Sequence, residues 1–206
     1  MSKNYFITGI STEVGKTVAS AIVTEALQAD YFKPIQAGEL DNCDTKKVSE
    51  LVSNSISKFH ANSFALNTPM SPHAAAEIDG IEITLDKISR PEITNNLVIE
   101  GAGGLLVPIN NNDTILDLIE PDDKVIVVSR HYLGSINHSL LTIKLLQDKG
   151  FDVSVIFSGD EHPTTESIIQ KMTGVSIIGR INEEEYFDKS VVKKYADLFR
   201  EKLIEL

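Results

Sequence analysis

Near its start the chain reads Ile7-Thr8-Gly9-Ile10-Ser11-Thr12-Glu13-Val14-Gly15-Lys16-Thr17, between the apolar run of residues 4–9 and a segment with apolar residues at helical spacing. This stretch constrains the fold more than any other. A glycine-bearing turn from a buried strand into a helix points backbone N–H groups inward at an anion, and the helix N-terminus adds its positive dipole end. In such a loop Lys16 reaches the terminal phosphates of a nucleotide and the Thr17 hydroxyl is a magnesium ligand. Five residues separate Gly9 from Gly15, one more than in the commonest form of the motif.

The rest of the chain alternates between strands and helices. Val14, Val18, Ala21, Ile22 and Leu27 mark a helix over 14–27, and residues 31–36 read as a short strand that should weaken at Lys33-Pro34, because proline cannot donate to a ladder. Residues 41–59 carry Val48, Leu51, Val52 and Ile56 on one helical face. Residues 67–73 form a loop, and Ser71-Pro72 opens a helix over 72–78. Leu97-Val98-Ile99-Glu100 is a buried strand, and Leu105 to Ile109 also looks strand-like. Further on, strands are expected at 124–129, 153–157 and 175–179, and helices at 135–149, 164–172 and about 187–203. This alternation implies an α/β fold with a mostly parallel sheet, helices on both faces and ligands at the carboxyl ends of the strands. At 206 residues, with neither a repeat nor a linker, a single domain over 1–206 is expected.

Several chemistry-bearing residues fall at those strand ends. Lys33 is either a second ammonium near the phosphates or a solvated lysine. Asp44 is either a hard-cation ligand or a helix-capping acid. Glu100, ending a buried strand beside the phosphate loop, suits a second magnesium contact, and Gly101-Ala102-Gly103-Gly104 lets backbone approach a ligand closely. A dinucleotide fingerprint would need glycine where Leu106 stands and a helix after it, and neither is present. Gly134, Ser135, Ile136 and Asn137 open a helix after a strand and offer free N–H groups to an anion; Ser135 as a plain cap explains them equally.

Thirty acidic against nineteen basic residues give a formal charge of −11, which disfavours nucleic acid and anionic lipid as partners. The single cysteine, Cys43, cannot form an internal disulfide. The first residues lack the apolar stretch of a secretory signal and no run is long enough to span a membrane, so a cytoplasmic protein acting on a small molecule is expected.

Taken together, Thr8-Gly9 through Thr17, Phe32-Lys33-Pro34-Ile35-Gln36, Ser71-Pro72-His73, Glu100 through Pro108, and Ser129-Arg130 with Leu133-Gly134-Ser135-Ile136-Asn137-His138 resemble the dethiobiotin synthetase family of P-loop NTPases. The resemblance is continuous to the helix after Asn137 and weaker past residue 150. It implies an ATP- and magnesium-dependent ligase that closes a cyclic urea from 7,8-diaminopelargonate and carbon dioxide, releasing ADP and phosphate. It makes Lys33, with Lys16, catalytic. Thr17, Asp44 and Glu100 become the metal ligands. The ATP site comprises Glu13, Val14, Gly15, Lys16, Thr17, Val18, Asp44, Glu100, Gly101, Ala102 and Gly103, together with Ser158, Asn182, Glu183 and Glu184. Thr12, Lys33 and Ala37 face the substrate, whose carboxylate rests on Gly134, Ser135, Ile136 and Asn137 of the partner subunit in a homodimer. Ala37 and Ser11 stand where the family usually has a hydroxyl residue and an acid. Ser158 and residues 181–184 replace the usual base-pocket residues.

A switch ATPase of the partition or positioning type is the alternative. Such proteins carry an extra lysine early in the loop, where this chain has Ile10 and Ser11. Neither a base-reading Asn-Lys-x-Asp nor an Asp-x-x-Gly switch motif of a GTPase occurs.

Overall fold

The computed structural model describes residues 2–206, so that Met1 of the expected domain lies outside the described residues. Its centre is a six-stranded, wholly parallel sheet in the order β2-β5-β1-β6-β7-β8. The strands are β1 (Asn4–Gly9), β2 (Asp30–Phe32), β5 (Leu97–Gly104), β6 (Lys124–Arg130), β7 (Asp152–Ser158) and β8 (Ser176–Ile181). The inner strands are runs of Ile, Val, Phe and Leu without polar alternation, because a parallel sheet is covered on both faces.

Helix α1 (Lys16–Leu27) packs with α6 (Lys189–Glu205) and α2 (Asp44–Leu51), whereas α4 (Ser135–Asp148) packs with α5 (Pro163–Thr173). Val192, Tyr195, Ala196, Phe199 and Leu203 form the buried stripe of α6 at the spacing of successive helical turns. Asp188 caps that helix by accepting from the Val191 N–H at 2.8 Å. Remaining are α3 (Pro72–Asp79), with Pro72 in its first turn, and two three-residue strands, β3 (Ile35–Ala37) and β4 (Phe64–Leu66), paired in a small parallel sheet of their own. Buried apolar side chains make one continuous core.

Four expected boundaries are corrected. The first helix begins at Lys16 rather than Val14, because Glu13 and Gly15 are left-handed (φ 54° and 92°) and hold 13–15 in the loop. Residues 31–36 are two strands in two sheets: Lys33-Pro34 interrupts the ladder, and the chain leaves the main sheet there. The 41–59 helix is a short 3-10 turn, Leu40–Asn42, followed only by α2. Leu105 to Ile109 is a turn after an extended β5, with Leu105 and Val107 accepting from Leu116 and Ile115 and an isolated bridge joining Pro108 to Thr114.

Candidate active site

The loop between β1 and α1 leaves no room for a side chain at Gly9, where a Cβ would come within 2.6 Å of Val14 Cγ2 and 2.8 Å of the Ser11 carbonyl. A positive φ at Glu13, unusual for a residue with a Cβ, is consistent with strain held in a loop shaped for a ligand. Lys16 is buried and donates to the Ser11 carbonyl at 3.0 Å. Its ammonium is thus folded back onto the loop.

Beside the loop lies a compact ionic cluster. Lys33, 4% exposed, puts Nζ 2.7 Å from Asp44 Oδ2 and 3.0 Å from Glu100 Oε1. Thr17 Oγ1 donates to the same Glu100 oxygen at 3.2 Å. Each group arrives by a local rule: Glu100 within β5 beside β1, Lys33 where proline ends β2, Asp44 at the start of α2, Thr17 in the first turn of α1. Gln36 holds Asp44 in place, its Oε1 accepting from the Asp44 backbone N–H at 3.2 Å while Nε2 donates to the Gly38 carbonyl at 3.0 Å. Cys43, not Asp44, stands at the N-cap of α2, and the Asp44 carboxylate faces Lys33.

Burial would lower the pKa of Lys33, but the charges of Glu100 and Asp44 outweigh it and hold the ammonium above its usual range. Burial likewise raises Asp44, and Lys33 more than reverses this. Lys16 differs: burial, with a contribution from Lys33's like charge, brings it down to about 8 despite the attraction of Glu100 and Asp44. Polyphosphate supplies negative charge that restores the proton, so nucleotide binding should take up a proton near that pH. Affinity should be flat below about pH 7 and fall by up to about tenfold per unit above pH 8, as binding must recharge a neutral amine. Titration calorimetry in buffers of different ionisation heat checks this; proton release at pH 8 would contradict it.

The carboxylates of Asp44 and Glu100, both paired with Lys33, and the Thr17 hydroxyl bonded to Glu100 are an oxygen donor set suited to magnesium, and the Lys33 ammonium between the carboxylates marks the place as one that accepts positive charge.

A cavity of about 1150 Å³ joins these groups, lined by Thr12, Glu13, Gly15, Lys16, Thr17, Val18, Lys33, Ala37, Asp44, Glu100, Ala102 and Gly103 of the expected residues. Val14 and Gly101 lie buried behind it. A smaller cavity at the ends of β6, β7 and β8 collects Gly15, Val18, Ser158, Asn182 and Glu183. Glu184 is turned from it, accepting from Tyr195 Oη at 2.6 Å and pairing with Lys194. Gly134, Ser135, Ile136 and Asn137 are not in either cavity. They begin α4 with Gly134 left-handed (φ 103°), while His138 and Leu141 further along the helix face the large cavity. Ser135 is not the cap, since it is the first helical residue and its carbonyl accepts from Ser139 at 2.7 Å.

The sequence reading gave no role to three residues of the site, although Arg130 lies in one of its motifs. Tyr31 donates to Glu100 Oε2 at 2.9 Å and is fully buried, and burial first, then Glu100's charge, hold its phenol well above the usual range. A buried tyrosine hydroxyl usually finds such a partner, which was the available signal. Arg130 spans from the Glu13 carbonyl (3.3 Å) to Glu183 Oε1 (2.8 Å), and Phe187 lines the smaller cavity.

Comparison with known proteins agrees with this architecture. An AAA domain family model matches residues 3–190. The ATP-dependent dethiobiotin synthetase BioD of Christiangramia forsetii is 63% identical over 207 residues, covering 100% of both chains. The protein of the same name from Cytophaga hutchinsonii is 47% identical over 197 residues, 94% of this chain and 95% of the relative. Among solved structures, a plasmid partition protein from Borrelia burgdorferi superposes with a TM-score of 0.57 at 13% identity, covering 100% of this chain and 99% of that one. The MinC:MinD cell division complex of Aquifex aeolicus gives 0.56 at 17%, covering 100% and 97%. At such identities the two structures show the shared fold alone. The identities along the full length, with the phosphate loop and the Lys33 cluster in place, carry the assignment: the chain belongs to the ATP-dependent dethiobiotin synthetase family.

Proposed function

We propose that this chain works as one P-loop α/β domain over its length and carries out ATP-dependent dethiobiotin synthesis in biotin biosynthesis, closing the ureido ring from 7,8-diaminopelargonate and carbon dioxide with release of ADP and phosphate. The observation that carries the reading is the Lys33 ammonium buried between Asp44 and Glu100 at the mouth of the phosphate loop.

One amine of the substrate adds to carbon dioxide and gives a carbamate. A carbamate oxygen attacks the γ-phosphorus as the bond to ADP breaks, and the second amine then attacks the carbonyl carbon and expels phosphate. Carbamate and triphosphate are both anions, so the site must gather positive charge between them and hold the reacting atoms in line. Lys16 binds the phosphates and Lys33 holds positive charge where carbamate and γ-phosphate meet. Thr17, Asp44 and Glu100 would hold Mg2+, which when bound neutralises charge on the phosphate oxygens. Ala102, Gly103 and the loop residues Glu13 to Val18 enclose the nucleotide, with the base toward Ser158, Asn182 and Glu183. Thr12 and Ala37 border the diamine.

The same proposal makes the active unit a homodimer, in which Gly134 to Asn137 of one subunit bind the substrate carboxylate of the other. Supporting it are the fully exposed Leu133 and the exposed Tyr132, Ile136 and Leu141 around the start of α4, an apolar surface beside the cavity wall. No helix among the described residues is long and apolar enough to cross a membrane, and a cytoplasmic setting forms part of the proposal.

Purified protein given Mg2+, ATP, bicarbonate and 7,8-diaminopelargonate should release phosphate and form dethiobiotin in equal amounts. Phosphate release indifferent to the diamine would overturn the reading in favour of a switch ATPase.

A further inference from the structure

The two carboxylate oxygens of Glu100 face different neighbours. Oε1 accepts from Lys33 at 3.0 Å and from Thr17 at 3.2 Å, on the side of the cavity. Oε2 accepts from Tyr31 Oη at 2.9 Å, on the side of the core. Tyr31 belongs to β2, which pairs with β5 in a register that sets it opposite Val98 and Phe32 opposite Ile99. Its backbone is tied on its other side, donating to the Lys58 carbonyl at 2.8 Å and accepting from the His60 N–H at 2.9 Å, and its ring meets Phe59 with centroids 6.4 Å apart. The phenol is therefore held from the backbone outward and has little freedom to follow Glu100.

We infer that Tyr31 is a positioning residue: by holding Glu100 Oε2 from behind, its hydroxyl keeps Oε1 turned to Thr17 and Lys33 and so sets the affinity of the site for its divalent cation. This rests on Glu100 being a metal ligand, as proposed above. A carboxylate rotates about its last single bond unless a second partner fixes it. Groups that orient a ligating side chain from behind typically govern metal affinity by about 10–100-fold. Tyr31 touches neither the cavity nor the reacting atoms, so it acts only through Glu100.

The test uses Mn2+ as a paramagnetic probe, titrated by electron spin resonance into the full-length protein saturated with the non-hydrolysable analogue AMPPNP. Tyr31→Phe keeps the buried ring, and thermal transitions within a few degrees of each other confirm the fold. The Mn2+ dissociation constant should rise about tenfold or more, while AMPPNP affinity in EDTA stays within about twofold and kcat recovers at saturating Mg2+. Glu100→Gln should weaken Mn2+ as well, and adding Tyr31→Phe to it should weaken Mn2+ no further, as expected of two residues acting as one unit. If Glu100→Gln weakens Mn2+ and Tyr31→Phe does not, the positioning role is overturned alone. If neither variant changes Mn2+ affinity, the metal reading of Glu100 falls and the role of Tyr31 with it.

Discussion

Lys33→Ala is expected to lower the turnover of ATP and diaminopelargonate by about 10²–10³-fold, the usual consequence of removing a preorganised charge aimed at a transition state. Nucleotide affinity should change by only about threefold, since Lys16 and the loop N–H groups bind the phosphates before reaction begins. The geometry gives the two ammonium groups different surroundings. Lys16 donates within the loop itself, whereas Lys33 reaches the cavity from the end of β2 and is held there by two carboxylates. Lys33→Arg should not restore the rate: a planar fork does not fit a place shaped for a compact ammonium 2.7 Å and 3.0 Å from its partners. Single-turnover phosphate release and equilibrium binding of AMPPNP, measured on the same preparations, check the separation. Equal losses in rate and affinity would reduce Lys33 to a phosphate-binding residue.

Much of the site was legible because its parts follow local rules. The glycine spacing of the loop, the proline that stops β2 at Lys33 and the acid within an apolar strand at Glu100 each act on their own neighbours. The family resemblance added Lys33 as catalytic and Thr17, Asp44 and Glu100 as metal ligands; that Lys33 pairs with both carboxylates is seen only in the fold. What was not legible depends on distant partners. Helix α2 stops at Leu51 although Val52 and Ile56 continue its apolar spacing, because Glu25 on α1 takes up the backbone N–H groups of Ser53 (2.8 Å) and Asn54 (3.1 Å) and both their side chains. Asn54 Oδ1 then accepts from Ile56 and Ser57 and fixes a turn where a helix was expected. Strand β4 has three residues and pairs with β3 alone, after the chain has left the main sheet. The long irregular stretch after α3 is tied down by Arg90, whose two terminal nitrogens each meet an Asp123 oxygen at 2.6 Å across 33 residues of sequence. None of these has a periodicity to read.

The proposed sharing of each site between two subunits makes a prediction that a monomeric site cannot satisfy. Asn137→Asp puts a carboxylate in the first exposed turn of α4, where it suits the helix dipole but repels an anion bound at the helix start. The fold should be unharmed, and KM for diaminopelargonate should rise by about 10–100-fold, the scale of a like-charge clash at a recognition site. Now let Asn137→Asp and Lys33→Ala chains, each nearly inactive at low substrate, be mixed in equal amounts and allowed to exchange subunits. In a mixed dimer one site combines both substitutions and the other combines intact Lys33 from one chain with an intact α4 start from its partner. Random exchange makes about half the dimers mixed, each with one working site in two, so the mixture should recover about a quarter of the unsubstituted rate. Recovery requires that Lys33 and the α4 start serve the same site from different chains. A mixture that stays at the average of its two parents would place both on one chain, and the helix N-terminus would then have to reach its own cavity by a path that Gly134 to Asn137, outside both cavities, do not take.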